Sequence, residues 1–433
     1  MSTSSPTRTP EPIVILGARL INGSGHDPID NAALLIEDGR IVAAGSQAKV
    51  EIPQNALVIE AQGMTVMPGL IDCHVHLAIR AGLALADRVL TPPSLSLLYA
   101  VPNSRVTLEA GITTVRDAGG TPAGVKHAVE RGLFPGPRML VAVTILSQTG
   151  GHSDGYMPCG MDLRIGGFPD VPHSVVDGVD AMHKKVREVL RAGADWIKLC
   201  TSGGVMSTAD DPSSPQFTVE EIEAAVYEAA MHHKRCMAHA QATQGIKNAL
   251  KAGVATIEHG IWLDDEAIDM MKRQGAYLVP TLAAPRDVLA FADANPGALP
   301  EVVVQKARAV VEDHSASIRK AIQAGVKIAM GTDSGVGPHG RNARELGLMV
   351  EHGMTPMQSI LASTIEAARM LHLDKDLGTL ETGKLADVLI VDGNPLEQIT
   401  VVEDQGRVAL VMKAGQIVKS QLEASRRSAV ASV

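Results

Sequence analysis

At 433 residues, with 45 % apolar and 20 % charged residues, the chain has the composition of a globular protein with one large domain and a smaller one. A formal charge of −9 with no basic run excludes nucleic acid as a partner, because phosphate binding needs clustered cations. There is no run of about 18 apolar residues to cross a membrane, and the four cysteines form no CxxC pair, which points to free thiols in a reducing compartment.

The opening stretch MSTSSPTRTPEP is polar and proline-rich, without an apolar core. It predicts a disordered tail over residues 1–12 rather than a signal peptide. The expected location is the cytoplasm, with export of a longer precursor as the alternative. From Ile13, the runs IVILGARLI and ALLIEDGRIVAAG predict short strands, and Asp38-Gly39 between apolar runs predicts a tight hairpin. The same texture returns in ADVLIVDG and RVALVMKAGQIVKS. The two ends, residues 13–65 and 377–433, are therefore expected to build one small β-sandwich domain, with residues 66–376 inserted between them.

That middle segment alternates eight candidate strands with helical stretches. The strands are TVMPGLIDCHVH, ITTVRDAG, RMLVAVTIL, DWIKL, RCMAHA, VATIEHG, YLVPTL and VKIAMGTD. Short buried strands, most followed by a helix, predict an α/β fold, a (β/α)₈ TIM-like barrel. Reactive groups in such a barrel gather at the C-terminal ends of the strands. His74 and His76 end the first strand and, being two residues apart, face the same way. Lys198, His239, His259 and Asp333 end the fourth, fifth, sixth and eighth. Imidazoles and a carboxylate converging at one rim are suited to a metal. Lys198 is the odd member, because a buried ammonium is costly to desolvate and has no lone pair to give.

These residues, read with IKL around Lys198, MAHA around His239, IEHG around His259, GTDS around Asp333 and LGTLETGKLADVLIVDGNP near the end, resemble the amidohydrolase superfamily over nearly the whole chain. The similarity is to its binuclear, carboxylated-lysine branch. The GGHSD loop at 150–154 and the segment PHGRNARELGLMVEHGMTP resemble the imidazolonepropionase-related dipeptidases and carboxypeptidases, a group that includes ochratoxin A-hydrolysing amidohydrolases. The resemblance implies two divalent metal ions, zinc being the expected metal, and N-carboxylation of Lys198 by CO₂. It implies that His74, His76 and Asp333 hold one ion, His239 and His259 the other, and carboxylated Lys198 both. Asp333 would then shuttle the proton between water and leaving amine, and His152 would contact the substrate carbonyl or oxyanion.

Three further readings complete the expectation. GVGPHG at 335–340 matches a nucleotide-loop pattern, but a helical stretch follows it where a second strand should end in an acidic residue. Its glycines are read instead as letting the backbone pass close to the metals. His152, His339, Arg341 and the backbone N–H groups at the helix start after this loop are candidate anchors for a substrate anion. Cys73 and Cys200, although beside ligands, are read as small core residues.

The expected function is hydrolysis of an amide bond to a C-terminal amino acid, in a dipeptide or N-acyl amino acid such as ochratoxin A. The alternative is a mononuclear imidazolonepropionase- or deaminase-type hydrolase acting on a cyclic amide or amidine. That alternative is disfavoured because His239 is followed by Ala240-Gln241-Ala242, without the expected glutamate, and because Lys198 is present. The expected partners are a small-molecule or dipeptide substrate with a free carboxylate and further copies of the chain in a homo-oligomer, with no nucleic acid and no membrane.

Overall fold

A computed structural model of the chain describes residues 11–82, 85–157, 159–163 and 168–426; most of the predicted tail, residues 1–10, lies outside them. The chain begins with β1 (Ile13–Leu20), β2 (Ile29–Glu37), β3 (Arg40–Ser46), β4 (Leu57–Glu60) and β5 (Thr65–Pro68). The β2–β3 hairpin turns at Asp38-Gly39, with φ of 48° and 76° and Glu37 opposite Arg40. A two-residue turn with positive φ at both positions matches the right-handed twist of the strands, which is why Asp-Gly is favoured there. The ends that the sequence assigns to one β domain join in a single nine-stranded sheet. Its strands β15 (Val388–Val391), β16 (Val408–Lys413), β17 (Gln416–Ser420) and β18 (Ala424–Arg426) come from the C-terminal end. β1 branches this sheet: Ile13–Leu16 pair with β4, and Arg19 and Leu20 with β5. Alternation along β1 sends Ile15 into one apolar cluster and Val14 and Leu16 into another, so both faces are buried.

The inserted segment carries β6 (Leu70–Val75), β7 (Ile112–Asp117), β8 (Arg138–Val141), β9 (Ile145–Leu146), β10 (Trp196–Cys200), β11 (Arg235–Ala240), β12 (Thr256–His259), β13 (Tyr277–Val279) and β14 (Lys327–Ile328). They form two parallel sheets, β6-β7-β8 and β14-β13-β12-β11-β10-β9, in an α/β arrangement. The predicted third strand is two strands here, broken where Val143 takes a φ of 65° that a strand cannot accommodate. Beyond β14 the chain runs alongside β6: Cys73 N–H donates to Met330 O (2.8 Å), Asp333 N–H to His74 O (2.7 Å), and Val75 bridges to Ser334.

Helices between the strands follow the predicted pattern. Thr218 and Glu221 cap helix Val219–Met231 reciprocally, and Gly275 ends helix Asp265–Gln274 in the left-handed conformation. Both sheet surfaces are covered, so the strands bury nearly every side chain, as in β10 and β11. Among the described residues no helix is long and apolar enough to cross a membrane.

Candidate metal centre

β6 delivers His74 and His76 from one face, and the segment after β14 brings Asp333 to them. All three are buried, and one ligand atom of each lies within 4.8 Å of the others. His259, the last residue of β12, and His239, near the end of β11, complete the cluster. Ring centroids lie 5.2 Å apart for His74 and His259, and 4.6 Å for His239 and His259. Each imidazole is oriented from behind, as ligating histidines are. Nδ1 of His74 meets Glu258 Oε2 at 2.7 Å, Nδ1 of His76 meets Gly119 O at 2.7 Å, and Nδ1 of His259 meets Thr281 Oγ1 at 2.7 Å. These contacts leave three Nε2 atoms for the centre. His239 is reversed, with Nε2 on Gly203 O at 3.0 Å and Nδ1 left over.

Burial pushes His74, His239 and His259 well below the usual imidazole range, favouring the neutral form that binds metals. For His76 burial acts in the same direction, but the Asp333 carboxylate outweighs it and the net shift is upward. Asp333 is raised by burial and lowered more by His74 and His76, so its carboxyl ends below the usual range. Lys198 is 2 % exposed and has no hydrogen-bond or ion-pair partner among the described residues; burial lowers its pKa.

These residues fit a metal. Asp333 Oδ1 lies 3.1 Å from His76 Nε2 and 3.5 Å from His74 Nε2, yet it is buried and no donor is aimed at it. A buried carboxylate oxygen left bare beside two imidazole nitrogens is the arrangement that a cation completes.

The backbone is strained at two of these positions. His259 and Asp333 have φ of 72° and 61°, in the left-handed region that non-glycine residues avoid. Gly335 answers the question raised by GVGPHG. It has a φ of 121°, and a Cβ there would stand 2.7 Å from His76 Cβ, so the glycine lets the backbone pass close to a ligand.

Two residues behind the cluster escaped the sequence reading. Glu258 and Arg116 are completely buried, with Arg116 Nη2 2.8 Å from Glu258 Oε1. Arg116 also donates to Cys73 O (2.7 Å) and Thr256 Oγ1 (3.0 Å), and its guanidinium stands 4.7 Å from the Trp196 ring centre. The visible signals were a glutamate next to His259 and an arginine in a fully buried strand. Asp72 plays a bracing role nearby. It accepts from His74 N–H, Thr332 Oγ1 and Asn342 Nδ2, and burial pushes its carboxyl up to about 6.

The cluster opens into a cavity of about 990 Å³. His74, His76, Lys198, His239, His259, Asp333 and His152 line it, with apolar walls from residues such as Phe168, Val288, Phe291 and Val303. His339 and Arg341 do not line it. His339 turns inward to Ile79 O (3.1 Å), and Arg341 is exposed. The helix that follows begins only at Arg344, after a turn that carries both side chains away. Arg80 lines the cavity instead; it is stacked 5.3 Å from the Tyr99 ring centre and has no carboxylate partner among the described residues. Cys73 sits in the core beneath the strands, while Cys200 borders the cavity, its thiol pushed up by burial to about 11.

Comparison with known proteins agrees with this geometry. The Amidohydrolase family matches residues 65–418. An ochratoxinase of Aspergillus niger is 35 % identical over 428 residues, covering 94 % of this chain and 86 % of that protein. The crystal structure of a Xaa-Pro dipeptidase with methionine bound in its active site superposes with a TM-score of 0.85 at 34 % identity, covering 94 % of this chain and 99 % of that one. An imidazolonepropionase of Geobacillus sp. (strain WCH70) is 24 % identical over 428 residues, covering 90 % of each chain.

Proposed function

The chain belongs to the amidohydrolase family and is a hydrolase, and from that premise we propose that it uses two metal ions to cleave the amide bond joining an acyl group to a C-terminal amino acid. The observation that carries this reading is Lys198, buried among imidazoles and a carboxylate and without a hydrogen-bond or ion-pair partner among the described residues. Burial favours its neutral amine, the form that attacks CO₂. The new N–C bond and the loss of one proton turn Nζ into an anionic carbamate, which has the lone pairs that an ammonium lacks. His74, His76 and Asp333 would hold one ion, His239 and His259 the other, and carboxylated Lys198 both. Divalent cations held there would polarise the scissile carbonyl and make a water molecule more acidic. The imidazole and carboxylate donor set suits zinc. Asp333 takes a proton from the attacking water and passes it to the leaving amine nitrogen. His152, on the cavity wall, donates to the carbonyl oxygen as charge develops on it.

The substrate class is supported from two sides. Two relatives at 34–35 % identity are an ochratoxinase and a Xaa-Pro dipeptidase, the latter holding an amino acid in its active site. Within the cavity, Arg80 offers a planar guanidinium to a free carboxylate, and the apolar walls accept a bulky acyl group. The two parallel sheets and the run beside β6 are read as one barrel presenting this site at its rim.

Metal analysis of chelator-free protein tests the proposal. About two ions per chain is expected, with activity on an N-acyl phenylalanine. Lys198→Ala should lose activity and recover part of it with added short-chain carboxylates. One ion per chain and an active Lys198→Ala variant would overturn the two-metal reading in favour of a mononuclear hydrolase.

A further inference from the structure

The His152 ring lies nearly parallel to His239, with an interplanar angle of 18° and 4.2 Å between centroids. Gly204 also lies against the ring: a Cβ there would stand 2.2 Å from His152 Cε1, so only glycine leaves room for it. Nδ1 meets Ser207 Oγ at 2.9 Å and lies 3.6 Å from Asp210 Oδ2, and the backbone N–H of His152 donates to Gln216 Oε1 at 3.0 Å. Clamped in this way, with Nδ1–H donating to Ser207 Oγ, the ring has Nε2 as its remaining nitrogen, which donates to substrate when the ring carries both protons beside Asp210.

The loop that supplies these contacts is held from outside by one ammonium. Lys306, on helix Glu301–Gln323, donates to Gly204 O (3.1 Å), Ser207 O (3.0 Å), Asp210 O and Asp210 Oδ1 (3.1 Å). The side chains of Lys306 and Asp210 are 12 % and 4 % exposed. A buried ion pair is a weak source of stability and a strong source of geometric definition. Here Asp210 passes that definition on: Oδ2 accepts from Gly204 N–H and Gln216 Nε2, and Oδ1 accepts from Ser207 Oγ. The same helix lends Val303 to the cavity wall and His314, whose Nε2 holds the carbonyls of His259 (3.0 Å) and Pro280 (2.8 Å).

We propose that Lys306 is a positioning residue which, through Asp210 and Ser207, fixes His152 against His239 and Gly204 for the reaction. The inference rests on the reading of His152 as a donor to the scissile carbonyl. A group displaced by about an ångström can lose on the order of 100-fold in rate, so the effect belongs in kcat. The test is a double-mutant cycle on the metal-loaded enzyme with an N-acyl phenylalanine: Lys306→Met, His152→Ala and both together. Lys306→Met is expected to lower kcat about 10- to 100-fold, with KM little changed and metal content intact. In the His152→Ala background the same change is expected to have no further effect. Should Lys306→Met fail to fold, Asp210→Asn takes its place in the cycle with the same expectation. Full kcat in Lys306→Met beside an impaired His152→Ala overturns the positioning role alone. An equal loss with and without His152 means a purely structural lysine and overturns it too. An unimpaired His152→Ala overturns both this role and the assignment of His152 on which it rests.

Discussion

His74 Nδ1 stands 2.7 Å from Glu258 Oε2, with the two side chains 1 % and 0 % exposed. The other oxygen of Glu258 faces Arg116, so His74, Glu258 and Arg116 form one buried chain behind the metal cluster. Carboxylates in this position fix the tautomer and angle of a ligating imidazole, and losing them typically reduces metal affinity or activity by about 10- to 100-fold. Glu258→Gln is expected to fall in that range. Competition against a graded chelator, with kcat on the reloaded enzyme, measures it. Wild-type affinity in the variant would show that Glu258 does not orient His74.

Asp333→Asn keeps the shape of the side chain and removes its basicity. Turnover should fall by about two to four decades, the usual worth of a positioned acid–base group, with the fold intact. The pH–rate profile is the measurement, and one unchanged in height and shape would remove Asp333 from the proton transfer.

An N-acyl phenylalanine and its C-terminal amide should differ as substrates. The amide forgoes a charge-assisted pair with the Arg80 guanidinium, an effect of about 1.5–3 kcal/mol, or roughly 10- to 150-fold in kcat/KM. Arg80→Gln should erase most of that preference by slowing the acid and sparing the amide. Equal efficiency on both by the wild type would leave a general amidase, and an undiminished preference in the variant would move the anchor elsewhere.

Glu345 supplies a pH test of stability outside the candidate metal ligands. Its buried carboxylate accepts from Leu282 N–H (2.7 Å) and Ala283 N–H (2.9 Å) at the start of helix Ala283–Ala294, and burial raises its pKa from 4.5 to about 8. The folded protein therefore binds the extra proton between pH 4.5 and 8, so this group makes folding less favourable as pH rises through that window. Glu345→Gln removes the titration. Its stability relative to wild type should rise from pH 5 to pH 8 by on the order of 3–5 kcal/mol, whatever its offset at pH 5. Chemical denaturation at the two pH values measures the difference, and a constant gap would refute it.

How much of this was legible depended on distance along the chain. His74 and His76 announced themselves because alternation puts neighbours in a strand on one face, and Lys198 because an ammonium is out of place in an apolar strand. The Asp-Gly turn carried its own geometry. Glu258 and Arg116 went unread because other polar residues share their buried strands and their partnership joins positions 142 apart. His339 and Arg341 misled for a related reason: their direction is set by the turn after Gly335, whose path is fixed by packing against His76. The left-handed backbone of His259 and Asp333 had no local cue, because neither residue type requires it.

The pairing of β5 with β15 sets Pro68 opposite Val388 and Thr65 opposite Val391. Everything that carries chemistry lies between these two strands, so the contact order of the terminal sheet is very high. During synthesis β5 leaves the ribosome and must wait, its edge unpaired, until some 320 later residues have been added. Closing so long a loop is not much dearer in entropy than closing one half its length, because the penalty grows only logarithmically. Time is the scarcer quantity. At about 5–20 residues per second the edge stays open for tens of seconds, long enough for the inserted segment to fold first and bring the two ends within reach.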